Sequence, residues 1–335
     1  MKRCILTGLG GRGRHWLQAV QKRDDVEIVA GIEPSQANAA IAIEKGMAPD
    51  KIFPSLEDAF KHIEADFVLD VTPPKVHHLV AEKAFAQGLH VLGEKPLSDD
   101  FAIAKSVAQS GQQAGVKHMI TQNYRFGAQP RTTRQVLSQN LIGAPEQCDV
   151  RFYMPWADMA GSHYVTEPFM LINDMMVHHF DLMRYVLQAD PIAVQAITWN
   201  HSWGWHKGDA AHAIVFEFPN NLHATHVSCG CAVGSKTSWN GDWRIEGRGG
   251  SIDWDSTGTW HSHLHRTDEK IDRQKIEHLN VPSGEQAMLD EFFAAIDQNR
   301  EPECSAQDNL KSLAMVFAAI QSSKEKRRVE LKELE

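Results

Sequence analysis

The chain has 335 residues, more than one average domain needs, and this length predicts two domains that each bury a core of their own. Its 34 lysines and arginines are outnumbered by 43 acidic residues, which gives a net charge of -9 and excludes nucleic acid as an expected partner. No stretch approaches the roughly 18 apolar residues of a membrane span, and no apolar signal segment precedes the first strand, so we expect a soluble, cytoplasmic protein without a membrane partner.

The first predicted elements are a strand, Cys4-Ile5-Leu6, then a glycine-rich turn and a helix. Gly8, Gly10 and Gly13 fit G-x-G-x-x-G: the first allows a tight turn, the second lets the backbone approach a pyrophosphate, and the third lets helix and strand pack closely. A dinucleotide phosphate would then bind the amides of the helix N-terminus. From this turn we expect the following cofactor contacts: Gly8, Gly10, Gly11, Arg12, Gly13 and Arg14.

Glu33, the acid that ends the second strand, predicts which dinucleotide binds. It follows the apolar run Val26–Ile32, about twenty residues beyond the last glycine, where a carboxylate can accept a hydrogen bond from the ribose 2′-OH. Residues 34–37 contain no Arg or Lys that would favour the additional phosphate of NADP. We therefore predict NAD in preference to NADP. The structural alternative is that Glu33 is only a solvated charge at a strand end.

Strands and helices alternate as far as residue 121, which predicts an α/β Rossmann domain with a doubly wound parallel sheet. Thr72, Pro73 and Pro74 end a buried strand predicted at 67–71, and ligands bind beyond the carboxyl ends of such strands. We expect these three residues and the nearby His77 to border the cofactor. The alternation stops near residue 122, where we place the boundary between a first domain, 1–122, and a second, 123–335. Glu94, Lys95 and Asn123 complete the expected cofactor contacts.

The second domain is predicted to be α+β. A helix at 132–139 and a strand at 147–153 precede a long helix at 173–187. Strand-like segments then follow at 192–198, 211–218, 223–228, 243–246 and 251–254. Consecutive strands without helices between them indicate a large, mostly antiparallel open sheet. Two closing helices are predicted to begin at Ser283, which forms a capping box with Gln286, and at Ser305.

Lys95 is the first candidate catalytic residue. It lies in Glu94-Lys95-Pro96, after the strand at 90–92, at the sheet edge where the nicotinamide end of the dinucleotide should lie. A lysine there can stabilise the negative charge that develops on a substrate oxygen during hydride transfer. Pro96 favours a fixed peptide bond, cis or trans, that would aim the side chain. The alternatives are an exposed loop lysine and, for Glu94, a plain surface charge.

The second candidate constellation lies on the long helix, where Asp174, His178 and Asp181 are spaced i, i+4 and i+7 and so share one face. The rest of this helix is largely apolar, and polar groups on a buried helix must be hydrogen-bonded and are often functional. His178 can take a proton from an alcohol near neutral pH, with Asp174 orienting it or binding a substrate hydroxyl. The structural alternative is a helix-capping Asp174 and a helical pair of His178 with Asp181.

No metal site is predicted. Histidines and tryptophans cluster twice: His201, Trp203, Trp205 and His206, and then Trp260, His261, His263 and His265. No cysteine or carboxylate completes a recognisable ligand set in either cluster, so we interpret them as surface histidines. Cys229-Gly230-Cys231 lacks the spacing of a zinc knuckle and is interpreted as a pair of strand thiols. The five cysteines are scattered and odd in number, which is typical of reduced thiols in the cytosol.

Motifs along nearly the whole chain carry a resemblance to a known family. In order they are Gly8-Leu9-Gly10-Gly11-Arg12-Gly13, Thr72-Pro73-Pro74, Glu94-Lys95-Pro96, Asn123-Tyr124-Arg125-Phe126, Asp174-x-x-x-His178-x-x-Asp181 and Glu246-Gly247-Arg248-Gly249-Gly250. Their order and spacing resemble those of the Gfo/Idh/MocA family, the glucose-fructose oxidoreductase and inositol dehydrogenase group. The Glu-Lys-Pro and Asp-x-x-x-His motifs are the most specific part of the resemblance.

The resemblance implies an N-terminal Rossmann domain and a C-terminal domain whose open sheet faces the active site and joins subunits into a homodimer or homotetramer. It also implies that Lys95 and His178 are the catalytic pair, with Asp174 beside them and Tyr124 or Arg125 near the substrate. Trp156 and His163, in the loop before the long helix, complete the expected substrate contacts. Flat aromatic faces such as that of Trp156 suit stacking on sugar rings.

The implied activity is NAD-dependent oxidation of a secondary hydroxyl of a sugar, sugar derivative or cyclitol, or reduction of the corresponding ketone. Two alternatives stay open: a redox-neutral lyase or glycosidase that uses tightly bound NAD for transient oxidation, and a non-catalytic NAD-dependent sensor. The chain departs from the family where glycines usually flank the aspartate, because it has Phe169-Met170-Leu171-Ile172-Asn173 before Asp174, and Met176 after it. Bulkier side chains there would narrow the floor of the pocket and affect which substrate binds.

Overall fold

The computed structural model describes residues 1–156, 163–264 and 270–334, and of His163 the backbone only. The described strands are β1 (Lys2–Thr7), β2 (Val26–Ile32), β3 (Ile52–Phe53), β4 (Phe67–Asp70), β5 (His90–Gly93), β6 (His118–Ile120), β7 (Pro145–Tyr153), β8 (Ala193–Trp199), β9 (Ala211–Glu217), β10 (His223–Cys229), β11 (Asp242–Gly247), β12 (Gly250–Asp255), β13 (Gly258–Leu264), β14 (Ile271–Ile276) and β15 (Val329–Glu330). The described α-helices are α1 (Gly11–Val20), α2 (Gln36–Glu44), α3 (Leu56–Phe60), α4 (His77–Ala86), α5 (Phe101–Gln113), α6 (Ala128–Ser138), α7 (Val177–Leu187), α8 (Gly284–Asp297) and α9 (Ala306–Glu325).

The chain divides into two compact units, Met1–Gln122 with Gly284–Leu310, and Asn123–Ser283 with Lys311–Glu335. In the first unit, six strands form a sheet in the order β3-β2-β1-β4-β5-β6, with every neighbouring pair parallel. This is the doubly wound order, in which ligands bind beyond the carboxyl ends of the strands on either side of β1. All four residues of β4 are buried, as expected for a strand covered on both faces. The Rossmann prediction is confirmed.

Helix α8 lies in the first unit, although the division of the sequence at residue 122 assigns it to the second domain. Its rings Phe292 and Phe293 contact Phe67 of β4 edge to face, with centroids 5.4 and 5.5 Å apart. The capping-box partner Gln286 instead donates to the carbonyl oxygen of Ala19. An apolar helical stripe predicts burial but does not identify the sheet that covers it, which is why the sequence placed α8 with its chain neighbours.

The second unit contains a nine-stranded sheet in the order β14-β13-β12-β11-β7-β10-β9-β8-β15. Among the described strands of this second sheet, only β10 and β7 pair in parallel, so the predicted mostly antiparallel sheet is confirmed. One face of this sheet packs on α7 and α9 through a large apolar core. On the other face, side chains such as Arg151, Ile197 and Arg244 are exposed. Among the helices of the described residues, none combines the length and the apolar character that crossing a bilayer requires.

The sequence did not predict β13 and β14. Five of the six residues of β14 are exposed, so this edge strand has no alternation of apolar and polar residues that would identify it. Its pairing with β13, from Thr259 opposite Ile276 to Leu264 opposite Ile271, is what makes it a strand.

The long helix predicted at 173–187 is not regular throughout. Residues Ile172–Met176 form a π-helical turn, and α7 follows only from Val177. The π turn includes Ile172, Asn173 and Met176 of the stretch where bulky residues were noted around Asp174, and π turns inside helices are frequent at functional sites. The i, i+4, i+7 spacing of an ideal α-helix therefore does not apply between Asp174 and Asp181.

Candidate active site

The glycine-rich turn between β1 and α1 has the tight geometry that its glycines predict. Gly8 has φ +82, and a Cβ on it would lie 2.7 Å from the carbonyl oxygen of Val71. A Cβ on Gly13 would lie 1.8 Å from the carbonyl oxygen of Gly8. Both positions require glycine, because a side chain at either one would collide with backbone that cannot move independently.

The start of α1 fits a pyrophosphate. A Cβ built on Gly10 or Gly11 would meet no atom of the described chain within 4 Å, so the backbone here borders open space. Gly10 precedes the helix and has no side chain to cap it, and the first turn, Gly11, Arg12 and Gly13, contains no acid. The first amides of a helix need acceptors from outside it. An anion of the size of a phosphate group can supply them here.

Glu33 is fixed at the end of β2 by backbone amides. Its Oε2 accepts from the amide of Leu9 in the glycine turn at 2.8 Å, and its Oε1 accepts from the amide of Ser35 at 2.9 Å. The alternative of a merely solvated charge is therefore wrong. Each carboxylate oxygen retains a lone pair that can accept from a ribose hydroxyl, and the negative charge opposes the 2′-phosphate of NADP.

The charged side chains beside the turn bind other protein groups. Arg12 donates from Nε to Glu94 Oε1 at 2.6 Å and from Nη1 to Glu285 Oε1 at 2.7 Å. Arg14 donates from Nη1 to the carbonyl oxygen of Leu9 at 2.9 Å. The two arginines thus fix the shape of the turn, and their direct contact with the cofactor stays a prediction.

Glu94 is 8% exposed and joins three elements of the first unit, so the alternative of a surface charge is wrong. Besides Arg12, its Oε1 accepts from Nε1 of Trp16 at 2.7 Å, and both donors belong to α1. Its Oε2 accepts from Oγ1 of Thr121, just after β6, at 2.9 Å and from the amide of Lys95 at 3.3 Å. The carboxylate therefore links the glycine-turn helix to the loop that carries the candidate lysine.

The loop after β4 is held by Asp70 and His77. Asp70, which is 1% exposed, accepts from the Oγ1 atoms of Thr7 and Thr72 at 2.9 and 2.6 Å, and burial raises its pKa. The ring of His77 lies between two carbonyl oxygens, with Nε2 2.6 Å from that of Thr72 and Nδ1 2.9 Å from that of Pro96. The ring therefore joins the loop after β4 to the loop after β5.

Lys95 is half-buried in the loop after β5, and the Lys95–Pro96 peptide bond is cis, one of the two forms that the sequence allows. Glu94 binds the amide on one side of Lys95 and His77 binds the carbonyl oxygen of Pro96 on the other. The backbone is therefore fixed on both sides of the lysine. Thr72, Pro73 and Pro74 form the neighbouring loop, and a short 3-10 turn, Pro74–Val76, leads from it into α4.

In the second unit, His178 is 7% exposed and stacks on Tyr124, with ring centroids 4.4 Å apart and planes inclined by 9°. Burial and then the charge of Asp174 raise the pKa of Tyr124, and the same causes raise the pKa of Tyr164 to about 12. The two phenols thus stay protonated, and Asp174, in the π turn, is close enough to influence both. The stacking fixes the plane in which the His178 ring nitrogens can accept or donate.

Arg125 is buried in an ion pair, and its expected place near the substrate stays a prediction. It is 5% exposed, and its guanidinium forms a bidentate ion pair with Asp181, from Nε at 2.5 Å and from Nη2 at 2.6 Å. Ser312 of α9 donates to the same carboxylate at 2.7 Å. Arg125 therefore fixes the 3-10 turn Asn123–Phe126 against α7, and Asp181 has a partner that the helical pattern did not predict.

Of the remaining expected residues, Trp156 is half-buried and its ring packs against Phe152 and Trp239 at centroid distances of 6.2 and 6.0 Å. Asn123 is half-buried at the start of its 3-10 turn. His163 begins a further turn, His163–Val165, but its side chain lies outside the described residues, as does all of His265. Trp239 also lines a cavity of about 580 Å³ that the sequence did not predict.

Sequence reasoning missed a chain of three buried histidines next to His178. His179 Nε2 faces the carbonyl oxygen of Trp239 at 2.9 Å, so it donates, and His179 Nδ1 accepts from His226 at 3.0 Å. His226 in turn accepts from His212 at 3.0 Å. Burial lowers the pKa of His179 to about 4 and that of His212 to about 3, and it also lowers the pKa of His226. The available signal was the inward-facing position of His212 and His226 on strands whose residues alternate between the two faces of the sheet.

Comparison with known proteins finds matches to both units. A family model described as "Oxidoreductase family, NAD-binding Rossmann fold" matches residues 2–122, and one described as "GFO/IDH/MocA C-terminal domain" matches residues 131–253. A 1,5-anhydro-D-fructose reductase of Ensifer adhaerens is 24% identical, with 96% of each chain covered. An inositol 2-dehydrogenase of Rhizobium meliloti is also 24% identical, over 97% of this chain and 98% of that protein.

Among solved structures, an oxidoreductase from Agrobacterium radiobacter in complex with NAD+, L-tartaric acid and magnesium superposes with a TM-score of 0.88. It is 19% identical, and the match covers 100% of this chain and 99% of that one. This similarity extends through both units and supports the same fold. The NAD-binding family model matches the unit that contains the glycine turn and Glu33, so the prediction of NAD as cofactor is confirmed.

Proposed function

Because the chain belongs to the GFO/IDH/MocA family of NAD-binding oxidoreductases, we propose that it is a dehydrogenase acting on a secondary hydroxyl of a sugar, sugar derivative or cyclitol, or on the corresponding ketone in reverse. The observation that carries the proposal is the fixed loop of Lys95, which lies at the carboxyl end of β5 in the NAD-binding unit. The names of the relatives, an anhydrofructose reductase and an inositol dehydrogenase, support a small carbohydrate or polyol as substrate.

In the proposed reaction Lys95 donates a hydrogen bond to the substrate oxygen and stabilises the alkoxide that develops on it. His178 removes the hydroxyl proton, and its stacking on Tyr124 keeps the ring at one orientation. Asp174 binds a neighbouring substrate hydroxyl or orients His178. Bound NAD+ supplies the acceptor for the hydride that leaves the carbon. The products are a ketone, NADH and a proton held on His178.

Removing either catalytic group is expected to lower kcat at least about a hundredfold, because charge stabilisation and acid–base catalysis each contribute factors of this size. The variants are Lys95→Met and His178→Asn, which keep most of the side-chain volume. NAD affinity, measured by calorimetry, should stay within a few-fold of the original. Lys83→Met, an exposed lysine on α4, is the matched control and should keep full turnover. Near-normal turnover in the Lys95 or His178 variant would contradict the assignment.

The reaction class is tested by following NADH absorbance and substrate consumption together across a panel of sugars and cyclitols. A dehydrogenase accumulates one NADH for each substrate oxidised. Consumption of substrate without NADH would instead indicate a redox-neutral lyase or glycosidase. Sugar binding that depends on NAD, with no conversion of any sugar, would indicate a sensor.

We also propose that the chain works in the cytoplasm as a homodimer or homotetramer joined through the open face of the second sheet. None of the five cysteines, all of which the structure describes, forms a disulfide, which suits a reducing compartment. On the open face, Ile197 is 64% exposed and Val215 is 41% exposed, and Ala213 lies directly opposite Ile197 in the register of β8 and β9. A second copy of the same face would cover this apolar patch.

Ile197→Asp is therefore expected to shift the protein toward monomer. In a symmetric interface each copy would bring one charge into the centre of the apolar patch, so two charges would have to be desolvated. The measurement is the molar mass by light scattering over a range of concentrations. Glu217→Lys, at the edge of β9, tests whether any change of charge on this sheet has the same effect. An unchanged mass for Ile197→Asp would exclude this face as the interface.

A further inference from the structure

Three potential metal ligands come together at one end of β10. Cys229 Sγ and Cys231 Sγ lie 3.9 Å apart, and a ring nitrogen of His201 completes a group whose ligand atoms are all within 4.8 Å of one another. The sequence separated these residues into a histidine cluster and a thiol pair, because 27 residues lie between His201 and Cys229. We propose that His201, Cys229 and Cys231 bind a thiophilic metal ion, with Zn²⁺ as the ion that fits best.

The spacing of the sulfurs suits a tetrahedral ion. Zinc–sulfur bonds of about 2.3 Å at the tetrahedral angle hold two thiolates about 3.8 Å apart. The observed 3.9 Å between the two sulfurs is therefore already the distance that an ion would impose. A ring nitrogen binds zinc at about 2.0 Å, so His201 needs only a small adjustment to complete a three-residue site.

Backbone hydrogen bonds hold the Cys-Gly-Cys segment in place without any ion. The carbonyl oxygen of Cys229 accepts from the amide of Met154 at 2.9 Å, and the amide of Gly230 donates to the carbonyl oxygen of Ala210 at 2.7 Å. A Cβ on Gly230 would lie 3.3 Å from that oxygen and 3.4 Å from the ring of Trp156. The glycine between the cysteines thus lets the strand end pack closely and turns both sulfurs to the same side.

The imidazole of His201 is also oriented by its neighbours. It stacks on Trp203, with centroids 4.4 Å apart and planes inclined by 9°, and meets Trp199 edge to face at 6.2 Å. Trp203 in turn donates from Nε1 to the carbonyl oxygen of Cys231 at 3.0 Å. One ring is therefore tied both to the histidine and to the cysteine segment, in the way that groups behind metal ligands usually fix them.

The residues of the proposed site and their burial indicate which type of ion would bind. Both sulfurs are buried in a small apolar cluster with Ala210. Binding of one divalent ion to the two thiols would release two protons, one from each sulfur, with no change of oxidation state. Two thiolates and an imidazole favour Zn²⁺ over Mg²⁺ or Ca²⁺, which prefer oxygen ligands. The fourth position is open to water.

The test uses the full chain, reduced and freed of metal with a chelator, and titrated with Co²⁺ as a spectroscopic substitute for Zn²⁺. We expect one equivalent of Co²⁺ to give a thiolate-to-cobalt charge-transfer band and the visible bands of a tetrahedral site, and Zn²⁺ to displace it. His201→Asn should weaken binding at least about tenfold. The double variant Cys229→Ala, Cys231→Ala should lose the charge-transfer band.

Matched controls separate the site from general effects. His223→Asn replaces an exposed histidine at the other end of β10, and Cys148→Ala replaces a buried cysteine of the same unit; both should bind Co²⁺ as the original chain does. His201 is only half-buried, so its variant keeps the proposal testable if the cysteine variant does not fold. Absence of the charge-transfer band from the original chain, or an unchanged affinity in His201→Asn, would overturn the proposal. Neither result depends on turnover.

Discussion

Asp181→Ala is expected to lower the free energy of unfolding of the second unit by about 3–5 kcal/mol, because it leaves the buried guanidinium of Arg125 without its counter-charge. Arg125 and Asp181 are 5% and 1% exposed, and both carboxylate oxygens accept from the arginine. Ser312 loses an acceptor in the same variant. The measurement is urea unfolding at neutral pH, followed by circular dichroism.

Two further variants distinguish the cost of removing one partner of the buried ion pair from the net contribution of the pair to stability. Glu217→Ala removes one partner of the exposed Arg328–Glu217 pair and should cost less than about 1 kcal/mol. The double variant Arg125→Met, Asp181→Leu should recover much of the loss, since replacing a buried pair by apolar side chains is often close to neutral. Equal costs for Asp181→Ala and Glu217→Ala would mean that the buried pair behaves like a surface pair, against the prediction.

Acid is expected to destabilise the second unit steeply below about pH 6.5, because of the buried chain of His179, His226 and His212. All three rings are neutral in the folded state, and burial lowers the pKa of His179 to about 4 and that of His212 to about 3. The unfolded chain binds protons on these residues below about pH 6.5, whereas the folded chain does not. Their contribution to stability is therefore complete above that pH and decreases as the pH falls toward the folded-state pKa values.

Each ring contributes up to about 1.4 kcal/mol per pH unit, so the three together give up to about 4 kcal/mol per unit. The measurement is urea unfolding at several pH values between about 7.5 and 5. His212→Leu removes the ring at the end of the chain and should reduce the slope by about a third. His223→Leu, at an exposed position of the same sheet, should leave the slope unchanged. Stability that is flat across this range would refute the account.

The sequence predicted the first unit well because its information is local. Each strand of a parallel sheet is a short apolar run between turn residues, and the bounds of β2 agree with the predicted run Val26–Ile32. The polar edge strand β14 and the covering of β4 by α8 depend on pairing and packing between distant segments. Local periodicity indicates that a residue is buried, but it does not indicate against what.

The same limit applies to the candidate site. The glycine turn and Glu33 lie within one βαβ unit, and their spacing alone predicted their geometry. The partner of Arg125 lies 56 positions away on a helix whose phase is changed by a π turn, so the sequence did not predict that Arg125 pairs with Asp181. The buried histidines were not predicted either. A histidine on a strand is interpreted as a polar, exposed residue as long as its hydrogen-bond partners on other strands are unknown.

The carboxylate of Glu94 couples two regions that are usually considered separately when coenzyme preference is redesigned. Arg12 and Trp16 belong to the helix whose N-terminus we expect to bind the phosphates, and the same carboxylate accepts from the amide of Lys95. Exchanging residues of that helix to admit a different dinucleotide would therefore also disturb the backbone of Lys95, the proposed catalytic residue. In this chain a successful swap of coenzyme should preserve Arg12, Trp16 and Glu94 together and confine its changes to the ribose end near Glu33.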